Sequence, residues 1–177
     1  MPKTSRRGNA MLEFTLIGIP LLFILISIFE VSRGMWIYHT LAHAVTDTNR
    51  FVIVKGENCV APGNACGVTV RRIAEEFRDL GVGLIPADAN LSLISPGDQR
   101  DCFPLQGCLD GTDPDSTTPW PTLTTPAAFG SGRGQNITVR ATMPFRSAIS
   151  LFWPGAGPGI NFGVFLLGAT STEKIQF

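Results

Sequence analysis

The sequence predicts an α+β protein. One long N-terminal helix, a transmembrane half followed by an exported half, packs against a small exported head of about three antiparallel strands and one further helix. Three observations carry this. An uncharged apolar run fills Phe14 to Phe29 behind a basic leader, and helical periodicity continues past it. Beyond residue 60 the chain changes character, with most of its 19 glycines and 13 prolines and short alternating stretches typical of strands. The 177 residues suit one modest domain plus an anchor. The expected divisions are a leader at 1–8, a transmembrane helix at 9–30, its exported continuation at 31–56 and a head at 57–177 with a long loop at about 96–135.

The leader carries Lys3, Arg6 and Arg7. Counted from Leu12, the apolar block is about 18 residues, or about 27 Å of helix, enough for a hydrocarbon core. Basic residues stay on the cytoplasmic side, so the chain beyond residue 30 is expected outside, with Trp36 and Tyr38 in an outer aromatic belt. A cleavable secretory signal fits poorly: the only A-x-A near the block, Ala42-His43-Ala44, lies too far past it. A plain one-pass anchor would leave Glu13 among headgroups. A third reading starts from Gly8. A basic leader, a glycine and an apolar helix with glutamate at the fifth position after that glycine is the pattern cut by prepilin peptidases. Cutting after Gly8 leaves Asn9 as the new N-terminus. An ionised carboxylate at the bilayer centre costs roughly 2.5–3.5 kcal/mol, less near an end. The new α-amino group of a neighbouring subunit would offset that cost and make Glu13 set the register of helix packing. On these residues alone, anchor and pilin-like readings stand level.

Past the membrane block, Ile37, Leu41, Val45 and Val52 recur on one stripe with Ala44 and Phe51 beside them. No proline interrupts Val31 to Ala61, while Pro20 lies inside the apolar half as a candidate kink. One helix is therefore expected from about Met11 to about Val54. The stretch from Gly8 to Gly56 resembles the TadE-like family, the pseudopilins and minor pilins of tight-adherence (Tad) pilus systems. The resemblance rests on Gly8, the Glu13-Phe14 pair, Pro20, the Glu30-to-Arg33 stretch and the run of small residues ending near Arg50. It implies cleavage between Gly8 and Asn9, a role for Glu13 and Phe14 in subunit assembly, and work in building an adhesive type IV-like pilus. The implied partners are a prepilin peptidase, other pilus subunits and minor pilins, an inner-membrane assembly platform and membrane lipid. The implied location is a bacterial inner membrane, crossed once with the N-terminus cytoplasmic, with incorporation into an extracellular pilus as a later stage. The alternative is an uncleaved single-pass protein whose exported domain binds a ligand or partner through the 96–135 loop.

In the head, Cys66 to Leu80 places Val70, Ile73, Phe77 and Leu80 on one helical face, with Gly81 and Gly83 as stops. Its mixed charges, Arg71 to Asp79, pair at i,i+4 on a solvated face. Asn90 to Ser95 and Asn136 to Phe145 alternate as strands, the latter pointing Ile137, Val139, Ala141 and Met143 inward. A third strand is expected in Phe162 to Phe177, and Ser147 to Trp153 reads as a short amphipathic turn or a buried corner. Four cysteines, Cys59, Cys66, Cys102 and Cys108, fall in two close pairs without C-x-x-C spacing. In an exported head they read as two disulfides, with three connectivities open.

No chemistry beyond binding and assembly is expected. Net charge is zero, so no global field attracts nucleic acid. His39, His43 and Asp47 share a helical face, but the metalloprotease glutamate is missing and two histidines on a stalk are more often surface residues; no metal and no cofactor is expected. Gly130 to Gly134 and Gly155 to Gly159 lack the Lys-Ser/Thr pair of a phosphate loop. The sequence offers no nucleophile elbow, and an enzyme is not expected.

Overall fold

In the computed structural model the described residues are 7–55, 68–121, 134–147 and 164–175. Helix α1 spans Arg7–Lys55 without a break and carries Pro20 inside it. The expected ends, Met11 and Val54, are each extended slightly. Proline lacks the N–H that would reach back one turn, yet the helix continues through it. The other elements are α2 (Val70–Leu80), β1 (Asn90–Ser95), β2 (Asp98–Cys102), α3 (Leu105–Asp110), β3 (Asn136–Arg146) and β4 (Val164–Lys174).

The chain divides into two compact units. One comprises Met1–Met35 with Arg146–Val164, and the other comprises Trp36–Phe145 with Phe165–Phe177. In the first unit the apolar residues of α1 stay uncovered by protein: Leu12, Phe14, Leu16, Ile17 and Phe29 are all exposed. Arg33 pairs with Glu30 at 3.3 Å and also donates to the Arg146 carbonyl.

In the second unit, Leu41, Ala44, Val45 and Val52 of α1 are buried, as the stripe predicts. They join a core with Val70, Ile73, Ala74 and Phe77 of α2, Leu91 and Leu93 of β1, and Ile137, Val139 and Ala141 of β3. Burying a side chain of this size gains roughly 1.5–3 kcal/mol, so this shared core ties the second half of α1 to the sheet. Thr48 and Asn49 sit in the same buried stripe, and Asn49 Nδ2 donates to Ser171 Oγ of β4 at 3.2 Å.

The sheet is antiparallel with strand order β2-β1-β3-β4. Leu91 faces Ala141 and Leu93 faces Val139 across β1 and β3, which puts one apolar face of the pair onto the core. Thr138 and Thr172 hydroxyls meet at 2.8 Å on the other face. The fold class agrees with the sequence, with one strand and one short helix more than expected. Both fall where the sequence reads as a long irregular loop. β2, Asp-Gln-Arg-Asp-Cys, has no apolar alternation. It is a strand because β1 supplies its partner, Ser95 to Asp98 through Leu91 to Cys102. Pro96 and Gly97 make the two-residue connection, with Gly97 at φ 90°, the positive angle a type II turn needs at that position. From Leu105 to Trp120 the segment is held by burial of Leu105, Cys108, Leu109 and Trp120, and Trp120 N–H donates to Val68 O at 2.8 Å. Sequence periodicity does not see such isolated anchors.

α2 begins at Val70 rather than Cys66. Thr69 is its N-cap, accepting from Arg72 N–H at 3.3 Å, and Gly81 closes it with an N–H to Phe77 O bond at 2.9 Å. Leu80 is only partly buried; Ala74 takes the fully buried place beside Ile73 and Phe77. The α2 charges pair as expected, Arg71 with Glu75 at 3.3 Å and Arg72 with Glu75 at 3.2 Å. The Ser147 to Trp153 turn lies outside the described residues after Ser147.

Candidate membrane and assembly segment

Gly8 and Asn9 lie in the first turn of α1, which starts at Arg7. The peptide bond between them is thus helical backbone. Glu13 follows in the second turn and Phe14 beside it, both exposed along the uncovered part of the helix. A Cβ on Gly18 would lie 3.9 Å from Phe14 Cε1, in ordinary contact with the edge of that ring. Glu13, Phe14, Gly18, Leu21 and Leu25 lie along one open, mostly apolar strip of this half of the helix. Glu13 is the only carboxylate between Met11 and Phe29, so any charged partner for it must come from outside that stretch of helix.

The helix is long and apolar enough to cross a membrane, and none of its most apolar window is buried by protein. Thr15, Ser27 and Ser32 return their hydroxyls to carbonyls of the preceding turn: Thr15 to Met11 at 3.0 Å, Ser27 to Phe23 at 2.8 Å and Ser32 to Ile28 at 2.8 Å. Each hydroxyl is thereby satisfied within the helix, which removes most of its cost in hydrocarbon. Trp36 and Tyr38 are exposed just past the apolar run, at 68% and 46%.

Of the cysteines, Cys102 and Cys108 form a disulfide with Cα atoms 5.7 Å apart, closing the end of β2 onto α3. Cys59 and Cys66 lie outside the described residues, as does nearly all of the Gly130-to-Gly134 stretch and the whole of Gly155 to Gly159. His43 Nε2 lies 3.3 Å from Asp47 Oδ2, and Arg50 approaches the same carboxylate at 3.6 Å. His39 turns instead to Tyr38, ring centroids 5.8 Å apart. Among the described residues no group of three or more His, Cys, Asp or Glu side chains is placed to hold a metal ion.

The sequence singles out Gly8, Asn9, Glu13 and Phe14, and the structure brings them onto one uninterrupted helix. It missed the polar pair Thr48-Asn49, whose helical spacing from Val45 and Val52 was visible but whose polarity argued against burial.

The chain thus combines a helix apolar enough to cross a membrane with an α+β sheet unit. The family model for TadE-like protein matches residues 8–50, which is 43 of the 177 residues and starts at the glycine of the candidate cleavage site. Residues 8–50 of this chain are therefore similar to TadE-like protein. No curated protein and no solved structure matches the chain.

Proposed function

We propose that this protein is a minor pilin or pseudopilin that takes part in assembling a Tad-type adhesive pilus. The observation that carries the reading is the coincidence of the TadE-like match with the part of α1 that begins at Gly8 and stays uncovered by protein through its apolar run. In this reading residues 1–8 are a cytoplasmic leader, 9–30 cross the inner membrane, 31–56 continue the helix outside and 57–177 form the exported head. A prepilin peptidase cuts after Gly8, and other pilus subunits, minor pilins, the assembly platform and lipid are the partners.

The chemistry of the cut follows from the helix. Removing Met1 to Gly8 makes Asn9 the first residue, and Asn is a favoured N-terminal capping side chain for the exposed N–H groups. It also brings Glu13 within about one turn of the new helix start, where the dipole favours a carboxylate by roughly 0.3–1 kcal/mol. The α-amino group of a neighbour then neutralises Glu13, and the helices pack in a fixed register.

Substituting Glu13→Ala tests the assembly role. The variant should insert as well as the native chain or better, since a charge is removed from the apolar segment. Its host should lose pili, or make far fewer. Normal piliation with Glu13→Ala would refute a role for this carboxylate in assembly.

A further inference from the structure

Most of the described arginines from residue 50 onward are paired with carboxylates. Arg50 meets Asp47, Arg71 and Arg72 meet Glu75, Arg78 meets Asp79, and Arg100 meets Asp98 at 3.0 Å and Asp115 at 2.7 Å. Arg140 is different. It is exposed in the middle of β3, across from Ser92, and has no carboxylate partner among the described residues.

The register puts Arg140 and Ser92 side by side, with Thr142 and Asn90 as the next pair along, on the face of the sheet turned away from the core. Phe103, just past β2, and Leu166 of β4 flank them, exposed at 59% and 68%. These six side chains line one groove of about 300 Å³. Its floor is polar, Phe103 and Leu166 stand on opposite sides of it, and Asp101 of β2 pairs across from Ser92 next to it, held by Gln99 Nε2.

The guanidinium fork matches a carboxylate with two parallel hydrogen bonds, and Asn90, Ser92 and Thr142 add short polar groups around it. The volume sits at the bottom of the range for small-molecule sites, roughly 300–1,000 Å³, and the groove lies open on a sheet. It has room for one acidic side chain and the apolar residues next to it, not for enclosing a whole ligand. Half-exposed apolar side chains around an arginine with no carboxylate partner among the described residues have the composition of a protein-docking patch. We propose that the outer face of the sheet docks an acidic, apolar-flanked segment of a partner protein, its carboxylate on Arg140 and its neighbours against Phe103 and Leu166. The groove lies wholly within the head, so the proposal holds whether or not the leader is cut.

The test uses the full chain, isotopically labelled in lipid nanodiscs. It is titrated with acetyl-leucyl-aspartyl-phenylalanine amide, with the asparaginyl peptide, and with acetate. The aspartyl peptide should shift the amide resonances of Asn90, Ser92, Arg140 and Thr142 and bind about tenfold more tightly than the asparaginyl one. Arg140→Gln should abolish that preference while leaving the rest of the spectrum in place. Should Arg140→Gln disturb the sheet, Arg140→Lys keeps the charge without the fork and should still lose most of the preference. Equal binding of the two peptides, shifts confined to other residues, or a full preference in Arg140→Lys would overturn the proposal. Acetate matching the aspartyl peptide would overturn it as well, by reducing the groove to a site for small anions.

Discussion

Gly81 shows how a single residue sets a helix end. A Cβ there would come within 2.6 Å of Leu84 Cδ1 and 3.0 Å of Phe77 O, and the second of these is backbone that cannot move aside. Gly81→Ala should therefore cost about 1–3 kcal/mol, read as a fall in the Tm of the head. An unchanged Tm would show that the chain leaves α2 by another route. At Asn49 the amide donates to Ser171 from a fully buried position, so Asn49→Ala should destabilise the head by about 1 kcal/mol. A loss within error in chemical denaturation would mean that this bond contributes nothing net. Legibility at this scale followed chemistry. Val45, Ile73, Phe77 and Val139 were readable because apolar side chains at helical or alternating spacing point to a core. Thr48, Asn49 and Trp120 were not, since two are polar residues in an apolar stripe and the third stands alone in a stretch without period.

Among the elements, β1 and β3 were legible almost to the residue and α1 and α2 to within about a turn, each having its own periodicity over enough positions to stand out. β2 and α3 were not. Their residues take up their conformations because β1 and the core accept them, which is tertiary information. The disulfide ties these two elements. Replacing both Cys102 and Cys108 with Ser should cost about 2 kcal/mol, the loop-closure value for a ring this short, and denaturant unfolding measures it. A double variant as stable as the native head would show that the hairpin and α3 are held by packing alone. In the membrane half of α1, Gly18→Ala meets nothing closer than the Phe14 ring at 3.9 Å within its own helix. Insertion and helicity should be unaffected by that change. Any loss of pili would then report close packing against a neighbouring helix, for which small residues are favoured in lipid. Full piliation would place the packing face elsewhere on the helix.

For the molecule as a whole, the TadE-like segment supplies a helix long and apolar enough to cross a membrane, and the head supplies a core, a disulfide and an outer sheet face. The first of these was legible because an uncharged apolar run continues into a helical stripe with no proline between Pro20 and the helix end. The groove at Arg140 was not, because it is made by three strands and the residue after β2 meeting across the sheet. The central claim is that Glu13 stands where it does to meet a new N-terminus. The intact mass of the protein, extracted from the membranes of its native host, tests this most directly. The account predicts a mass lacking Met1 to Gly8, with Asn9 as the first residue. A full-length mass would contradict it and leave Glu13 as a headgroup residue of an uncleaved anchor.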